Sequence, residues 1–212
     1  TVHFYFAYFQ ACRMAGLPVG SPMDFALPTG AMGNVTAGLV ARLTGLPIRR
    51  FICATNANDI VHRAFTTGNF FKQDMQRTLS EAINIQVPYN MERVLYFCSN
   101  GDAELIRGFM KSLDATDRLS LSATPVFPVL TSTFSSARVE DKEMLDTMKQ
   151  YWTNWEYLVD PHTAVGLDGW RQVAQQAVTQ IIPGTGTSAV SAKQNVPTIV
   201  LSTAHAAKVR FT

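Results

Sequence analysis

A glycine-containing loop at residues 27–34, with the sequence LPTGAMGN, is the stretch of this chain best suited to bind a ligand. The loop contains Gly30 and Gly33, and no Lys or Arg occurs between Arg13 and Arg42. An anion bound here would therefore be held by backbone N–H groups, as happens where a glycine turn opens a helix. The pattern predicts a phosphate-binding loop, but a turn with two glycines between a strand and a helix is also a common structural connection.

The loop differs from two well-known nucleotide-binding motifs. A Walker A motif, GxxxxGK[ST], is absent, and so is the GxGxxG spacing of a dinucleotide-binding loop. The sequence therefore argues against a nucleotide-binding domain of either kind.

The segments on both sides of the loop predict the elements that position it. Residues 23–27 form a short, mostly apolar run typical of a buried strand, and residues 35–44 carry apolar side chains at helical spacing. Residues 48–54 read as a second strand, which gives a strand–helix–strand unit with parallel strands. We therefore expect an α/β fold with a mostly parallel open sheet and flanking helices.

Polar residues follow the second predicted strand at residues 55–59, where open α/β sheets place their ligands. Asn and Asp also form turns and helix caps, so this cluster is either a site or a cap. A helix is predicted at residues 91–98, and Asn90 is its expected N-cap. Arg93 lies in the first turn of this helix, where its side chain faces either a substrate anion or bulk solvent.

The remainder of the chain predicts further helices and one more strand. Helices are expected at 102–113, at about 140–159, and from Pro161 onward with Asp160 as N-cap, and a strand is expected at 196–203. The apolar stripe of the helix at 140–159 predicts core or subunit contact. Residues 181–194 are expected to form a loop, and residues 115–138 give no clear assignment. The opening aromatic segment predicts a helix with an exposed face that favours association, formed by Phe4, Phe6, Tyr8 and Phe9.

Composition excludes several classes of partner. The chain has 212 residues, 47% hydrophobic content and a formal net charge of +2, which argues against nucleic acid or an anionic membrane as the main partner. Four histidines without metal-ligand spacing predict no metal site. The apolar opening segment is too short to span a membrane. Three scattered cysteines, Cys12, Cys53 and Cys98, predict buried reduced thiols in an intracellular, cytoplasmic protein.

Five blocks in order resemble threonine synthase, a pyridoxal-phosphate enzyme of the tryptophan-synthase-β fold type (fold type II). PTGAMGN at 28–34, followed by AG and GLP, is similar to the family's PTGNFGD-x-x-AG and GLP. The other four blocks are ATNAND at 54–59, IQVPYNMERVL at 85–95, DPHTAVG at 160–166 and STAHAAK at 202–208, which resemble the family's ATN-x-ND, DIQVPSNFERLL, DPHTAVG and STAHPAK. The resemblance implies that the chain is the C-terminal two-thirds of such an enzyme.

The resemblance also implies a cofactor, a substrate and site residues. The cofactor is pyridoxal 5'-phosphate, and the reaction converts O-phosphohomoserine and water to threonine and phosphate in amino-acid biosynthesis. Thr203 is expected to hydrogen-bond the pyridine nitrogen of the cofactor. The expected phosphate contacts are Thr29, Gly30, Ala31, Met32, Gly33 and Asn34. The expected substrate contacts are Asn56, Asn58, Asp59, Asn90 and Arg93.

The departures from the family pattern define the alternatives. Ala31 and Met32 replace an Asn–Phe pair, Tyr89 replaces a Ser, and Ala206 replaces a Pro. The Schiff-base lysine of the family lies in a Phe-Lys-Asp context upstream of the opening helix, and none of the lysines here has those neighbours: Lys72, Lys111, Lys142, Lys149, Lys193 and Lys208.

We therefore expect residues 1–212 to be a partial domain that begins inside a helix, carries no catalytic lysine and lacks the N-terminal part of the same protein. The parent is expected to be a carbon–oxygen lyase. The alternatives are a related O-phosphohomoserine phospho-lyase, or a non-catalytic paralogue or fragment that keeps only the fold.

Overall fold

The computed structural model describes residues 1–179 and 196–206, and within them the strands form a four-stranded sheet and a separate two-stranded antiparallel sheet. The strands are Met23–Pro28 (β1), Ile48–Thr55 (β2), Asn69–Phe71 (β3), Arg118–Ser120 (β4), Phe134–Arg138 (β5) and Thr198–Val200 (β6). The helices are Val2–Ala15 (α1), Gly33–Leu43 (α2), Ile60–Thr67 (α3), Met91–Cys98 (α4), Ala103–Thr116 (α5), Val126–Thr133 (α6), Asp141–Trp155 (α7) and Pro161–Thr179 (α8). A short 3-10 helix spans Glu81–Ile83.

The larger sheet has the order β5-β2-β1-β6, and its neighbouring strands pair in parallel. Ala26 of β1 lies opposite Ile52 of β2 on one side and Val200 of β6 on the other. This arrangement confirms the predicted α/β class with a mostly parallel sheet and flanking helices. The last strand is shorter than the predicted 196–203, and the expected loop at 181–194 lies outside the described residues.

The two faces of the sheet pack against different helices. On one face the ring of Phe51 lies 6.4 Å from that of Phe4 in α1 and 5.6 Å from that of Phe134. Gly38 of α2 allows this packing, since a Cβ there would stand 2.6 Å from the Phe51 ring. On the other face a Cβ at Gly169 of α8 would stand 2.5 Å from the Cβ of Ala54. Helices therefore cover both faces of the sheet at close range.

The structure corrects the prediction for the aromatic face of α1. Phe4 and Tyr8 are buried, with 3% and 1% of their surface exposed, whereas Phe6 and Phe9 are 64% and 47% exposed. Phe4 packs on Phe25, with 5.1 Å between ring centroids. Two of the four aromatic side chains of α1 therefore lie in the core, and the other two lie at the surface.

The stripe on α7 is divided in the same way. Met144 is fully buried, while Trp152 and Trp155 near the end of the helix are 55% and 62% exposed. The expected core contact is therefore made by the first part of the helix. Among the described residues, no helix is long and apolar enough to cross a bilayer.

Residues 115–138, which the sequence left unassigned, contain β4, α6 and β5. Strand β5 forms the edge of the sheet beside β2, with Ser136 opposite Cys53. Its sequence, FSSAR, has little apolar character, so its place in the sheet depends on the partner strand.

Candidate functional site

The predicted phosphate loop connects the carboxyl end of β1 to the N-terminus of α2. Met32 has φ 64°, a left-handed conformation that turns the chain into the helix. Within the described part of the chain, the amide N–H groups of residues 30–34 have no protein acceptor. They lie at the positive end of the helix dipole, where an anion is stabilised.

The side chains of the loop are occupied with each other. Oγ1 of Thr29 donates to Oδ1 of Asn34 over 2.9 Å, and Nδ2 of Asn34 donates to the Pro28 carbonyl oxygen over 2.8 Å. The amide N–H of Val35 also donates to Oδ1 of Asn34. Thr29 and Asn34 therefore fix the loop, and the backbone N–H groups are what it offers to a ligand.

Asn90 connects a predicted substrate contact to this loop. Its backbone N–H and its Nδ2 both donate to the carbonyl oxygen of Ala31, over 3.2 and 2.9 Å. Nη1 of Arg93 in turn lies 3.2 Å from Oδ1 of Asn90. Asn90 occupies the N-cap position of α4, as predicted, but its side chain makes no capping hydrogen bond. The side chain instead ties the start of α4 to the loop.

Asn56 and Asn58 lie at the carboxyl end of β2 and are buried. Nδ2 of Asn56 lies within hydrogen-bonding distance of Oγ1 of Thr78 (2.8 Å), Oγ of Ser80 (3.1 Å) and Oδ1 of Asn84 (2.7 Å), and its two hydrogens are shared among them. Nδ2 of Asn58 also donates to Oδ1 of Asn84, over 3.1 Å. These amides therefore hold the segment from Thr78 to Asn84 against the edge of the sheet.

Asp59 forms ion pairs with two arginines. Its Oδ1 accepts from Nε of Arg63 over 2.8 Å, and its Oδ2 lies 3.3 Å from Nη1 of Arg138. The Asp59 side chain is 9% exposed. Asp59 therefore joins α3 to the end of β5.

The block at residues 160–166 opens α8 at the same edge of the sheet. Oδ1 of Asp160 accepts from the amide N–H groups of His162 and Thr163 over 2.9 and 3.2 Å, which confirms the predicted N-cap. Burial raises the pKa of Asp160, but the hydrogen bonds from His162 and Thr163 outweigh it, so the pKa lies below its ordinary value. Asp160 is therefore an anion held by the helix start.

His162 and Thr163 reach two other segments from this cap. The amide N–H of Ala82 donates to Nε2 of His162 over 3.0 Å. Oγ1 of Thr163 donates to the carboxylate of Asp160 and lies 3.2 Å from Oγ of Ser202. Sequence reasoning identified this block only by its resemblance and its cap, because its partners are distant in the chain.

Thr203 follows β6 at the same edge as the loop, since β6 pairs in parallel with β1. The residue is exposed, so its hydroxyl is accessible to a ligand. Lys72, Lys111, Lys142 and Lys149 are also exposed: Lys72 follows β3, Lys111 lies on α5, and Lys142 and Lys149 lie on α7. Lys72 pairs with Asp117 and Lys142 with Asp146. Lys193 and Lys208 lie outside the described residues.

The three cysteines are free and buried, as predicted. Burial raises the pKa of the Cys98 thiol to about 11 and raises that of Cys53 further. Both thiols therefore stay protonated at neutral pH and are poor nucleophiles.

Comparison with known proteins finds relatives named threonine synthase or threonine synthase-like. The human protein named threonine synthase-like 2 is 36% identical over 176 residues, which are 82% of this chain and 36% of the human protein. Threonine synthase from Pseudomonas aeruginosa is 29% identical, over 95% of this chain and 39% of its own length. No family model matches the sequence.

A solved structure gives the same result for the fold. Threonine synthase from Brucella melitensis with bound pyridoxal phosphate aligns with a TM-score of 0.78 at 33% identity, covering 95% of this chain and 39% of that one. The resemblance and the fold predicted from the motifs are thus confirmed. The chain spans a little over a third of the length of these relatives, less than the two-thirds expected.

Proposed function

We propose that this chain, which resembles threonine synthases in sequence and fold, is part of a pyridoxal-phosphate-dependent lyase that acts on O-phosphohomoserine. The observation that carries the proposal is the run of amide N–H groups at residues 30–34, at the start of α2, for which residues 1–179 and 196–206 provide no acceptor. Such a run fits the phosphate of the cofactor, because it supplies several donors without a side-chain cation. Bound pyridoxal phosphate acts as an electron sink for carbanion chemistry at the substrate.

The residues of this chain bind and orient the cofactor in this proposal. The N–H groups of residues 30–34 hold its phosphate, and the hydroxyl of Thr203 meets its pyridine nitrogen. Open space supports the first contact, since a Cβ added at Gly33 would meet only Nδ2 of Asn90, at 3.5 Å. The exposed position of Thr203 after β6, at the same edge of the sheet as the loop, supports the second.

Asn90 and Arg93 are the substrate-binding residues in this proposal. Asn90 lies against the phosphate loop, and the exposed guanidinium of Arg93 is beside it. A cation in that position suits a dianionic phosphate ester. Three neighbouring side chains stabilise the site indirectly in this proposal, because they are hydrogen-bonded or ion-paired to other protein groups: Asn56, Asn58 and Asp59.

The lysine that bonds covalently to the cofactor belongs, in this proposal, to a part of the full-length protein outside residues 1–212. The exposed positions of the four described lysines support this view. We propose a cytoplasmic location for the full-length protein, on the basis of the buried reduced thiols.

A phospho-lyase acting on the same substrate is the second candidate. Tyr89 favours it, since it is 65% exposed beside Asn90 where the synthase motif has Ser and so adds a bulky side chain next to the proposed substrate-binding residues. Both reactions release phosphate. The synthase adds water to the carbon chain and forms threonine, whereas in the lyase reaction the unsaturated product of phosphate elimination is hydrolysed by one water to an oxo acid and ammonia.

The experiment is an assay of the full-length protein with pyridoxal phosphate and O-phosphohomoserine. Phosphate release with threonine supports the synthase, and phosphate release with an oxo acid supports the lyase. Cofactor binding without either product supports the non-catalytic alternative. Absence of cofactor binding overturns the proposal.

A further inference from the structure

We propose that Asp160 is a positioning residue that holds both ends of the cofactor site, acting through His162 on the phosphate loop and through Thr163 on the segment of Thr203. The inference rests on the proposed function and adds to it a role for side chains that touch no part of the cofactor. Asp160 is buried, and its carboxylate accepts hydrogen bonds from His162 and Thr163.

The first arm runs from Asp160 to the phosphate loop. Nε2 of His162 accepts from the Ala82 amide, and an amide can only donate, so the ring proton lies on Nδ1. Nδ1 then donates to Oδ1 of Asp160 over 3.1 Å. The carboxylate therefore fixes both the orientation and the tautomer of the ring that holds Ala82.

The residue after Ala82, Ile83, lies directly against the phosphate loop. A Cβ at Gly30 would stand 3.0 Å from Cα of Ile83, 3.1 Å from its carbonyl oxygen and 2.8 Å from Cγ1 of Ile85. The backbone of Ile83 therefore touches Gly30, and a shift of Ala82 moves the surface on which the loop rests. The amides of Asn56 and Asn58 hold the other side of this segment.

The second arm runs from Asp160 to the end of β6. Oγ1 of Thr163 donates to the carboxylate and lies 3.2 Å from Oγ of Ser202, the residue before Thr203. A Cβ at Gly166, one turn further along α8, would stand 2.9 Å from Cδ of Pro28 and 3.4 Å from Cγ1 of Val200. The start of α8 therefore packs across β1 and β6 at the edge that carries the two ends of the site.

Two matched pairs of variants in the full-length protein test the arms separately. His162→Gln keeps an acceptor in the place of Nε2, whereas His162→Asn keeps only the group that faces Asp160. Thr163→Ser keeps the hydroxyl, whereas Thr163→Val removes it. Urea unfolding of each variant establishes that it is folded.

The readouts report on the two ends of bound pyridoxal phosphate. The 31P chemical shift reports on the phosphate, and the absorption maximum reports on the ring. We expect His162→Asn to shift the 31P signal and to weaken cofactor retention several-fold, and His162→Gln, which keeps the acceptor for Ala82 but loses the bond to Asp160, to change both by a smaller amount. We expect Thr163→Val to move the absorption maximum and lower kcat with little change in the 31P signal, with Thr163→Ser close to wild type.

The outcomes separate the inference from the proposed function. Wild-type protein that binds no pyridoxal phosphate refutes the proposed function itself. Wild-type protein that binds it, with folded His162→Asn and Thr163→Val variants that give unchanged spectra and retention, overturns the positioning role. Equal loss in both members of each pair also overturns it, because the hydrogen bond that His162→Gln or Thr163→Ser retains would then make no difference.

Discussion

Asn90 donates two hydrogen bonds to one atom of the phosphate loop, the carbonyl oxygen of Ala31, from its backbone N–H over 3.2 Å and from Nδ2 over 2.9 Å. The two residues are 59 positions apart in the chain. The bonds turn the Ala31 carbonyl toward α4, and they join the proposed substrate side of the site to the proposed cofactor side.

Replacement of Asn90 by Ala should weaken pyridoxal phosphate binding in the full-length protein by about five- to tenfold, because one hydrogen bond contributes ~1 kcal/mol. The same change removes the Oδ1 partner of Arg93, so the KM for O-phosphohomoserine should rise. Fluorescence titration with the cofactor and steady-state kinetics measure the two effects. Wild-type values for both would show that the Ala31 contact has no part in the site.

Gly30 and Gly33 should respond differently to substitution. Gly33→Val should leave the fold largely intact and strongly reduce cofactor retention, because the added side chain enters the space in front of the amide groups. Gly30→Ala should instead lower the free energy of unfolding, because its Cβ would meet the Ile83 backbone at 3.0 Å. Urea unfolding and cofactor titration of both variants separate the effects. Full retention in Gly33→Val would move the phosphate away from this loop.

Thr203→Val should keep the fold and lower kcat by about five- to tenfold, the scale of one lost hydrogen bond of ~1 kcal/mol to the pyridine nitrogen. Thr203→Ser is the matched control, since it retains a hydroxyl at the same position. Steady-state kinetics of the cofactor-saturated full-length protein provide the measurement. If both variants turn over at the wild-type rate, another group must contact the ring nitrogen.

His62 should make the stability of the chain depend on pH near neutrality. Burial lowers the pKa of His62 below its ordinary value of 6.5, and Nδ1 lies 3.0 Å from Oγ of Ser136. The unfolded chain then binds a proton on His62 at higher pH than the folded chain does. The contribution of neutral His62 to the free energy of unfolding is therefore fully present above about pH 6.5 and decreases as the pH falls below that value.

Urea unfolding at several pH values between about 7 and 5 checks this prediction for wild type and His62→Gln, which cannot take up a proton. The free energy of unfolding should fall more steeply with decreasing pH in the wild type. Identical slopes for the two proteins would assign the pH dependence to other groups.

The elements with strong local signals could be predicted from the sequence. Strand β1, helix α2 and the cap at Asp160 depend on apolar spacing and on residues within three positions of the helix start. Strand β5 could not be predicted, because its sequence becomes a strand only beside β2. Local patterns also failed to reveal that Phe4 is buried, since its partner Phe25 lies in β1.

The site was predictable as a set of motifs but not as a set of contacts. The loop at residues 30–34 was identified by its glycines and its place before a helix. The side chain of Asn90 was expected to cap α4, but its acceptor is Ala31, far away in the chain. Asn84, a shared partner of Asn56 and Asn58, lies 28 and 26 positions from them in the chain. Such contacts arise from the fold, so sequence spacing carries no sign of them.

The most direct test of the account is to locate the lysine that holds the cofactor. The full-length protein is loaded with pyridoxal phosphate, reduced with borohydride, digested and mapped by mass spectrometry. We predict one pyridoxyl-lysine, in a peptide outside residues 1–212, together with an unmodified chain when residues 1–212 are treated alone. A pyridoxyl group on Lys208, or on any other lysine of these 212 residues, would contradict the account and make this chain an enzyme in its own right.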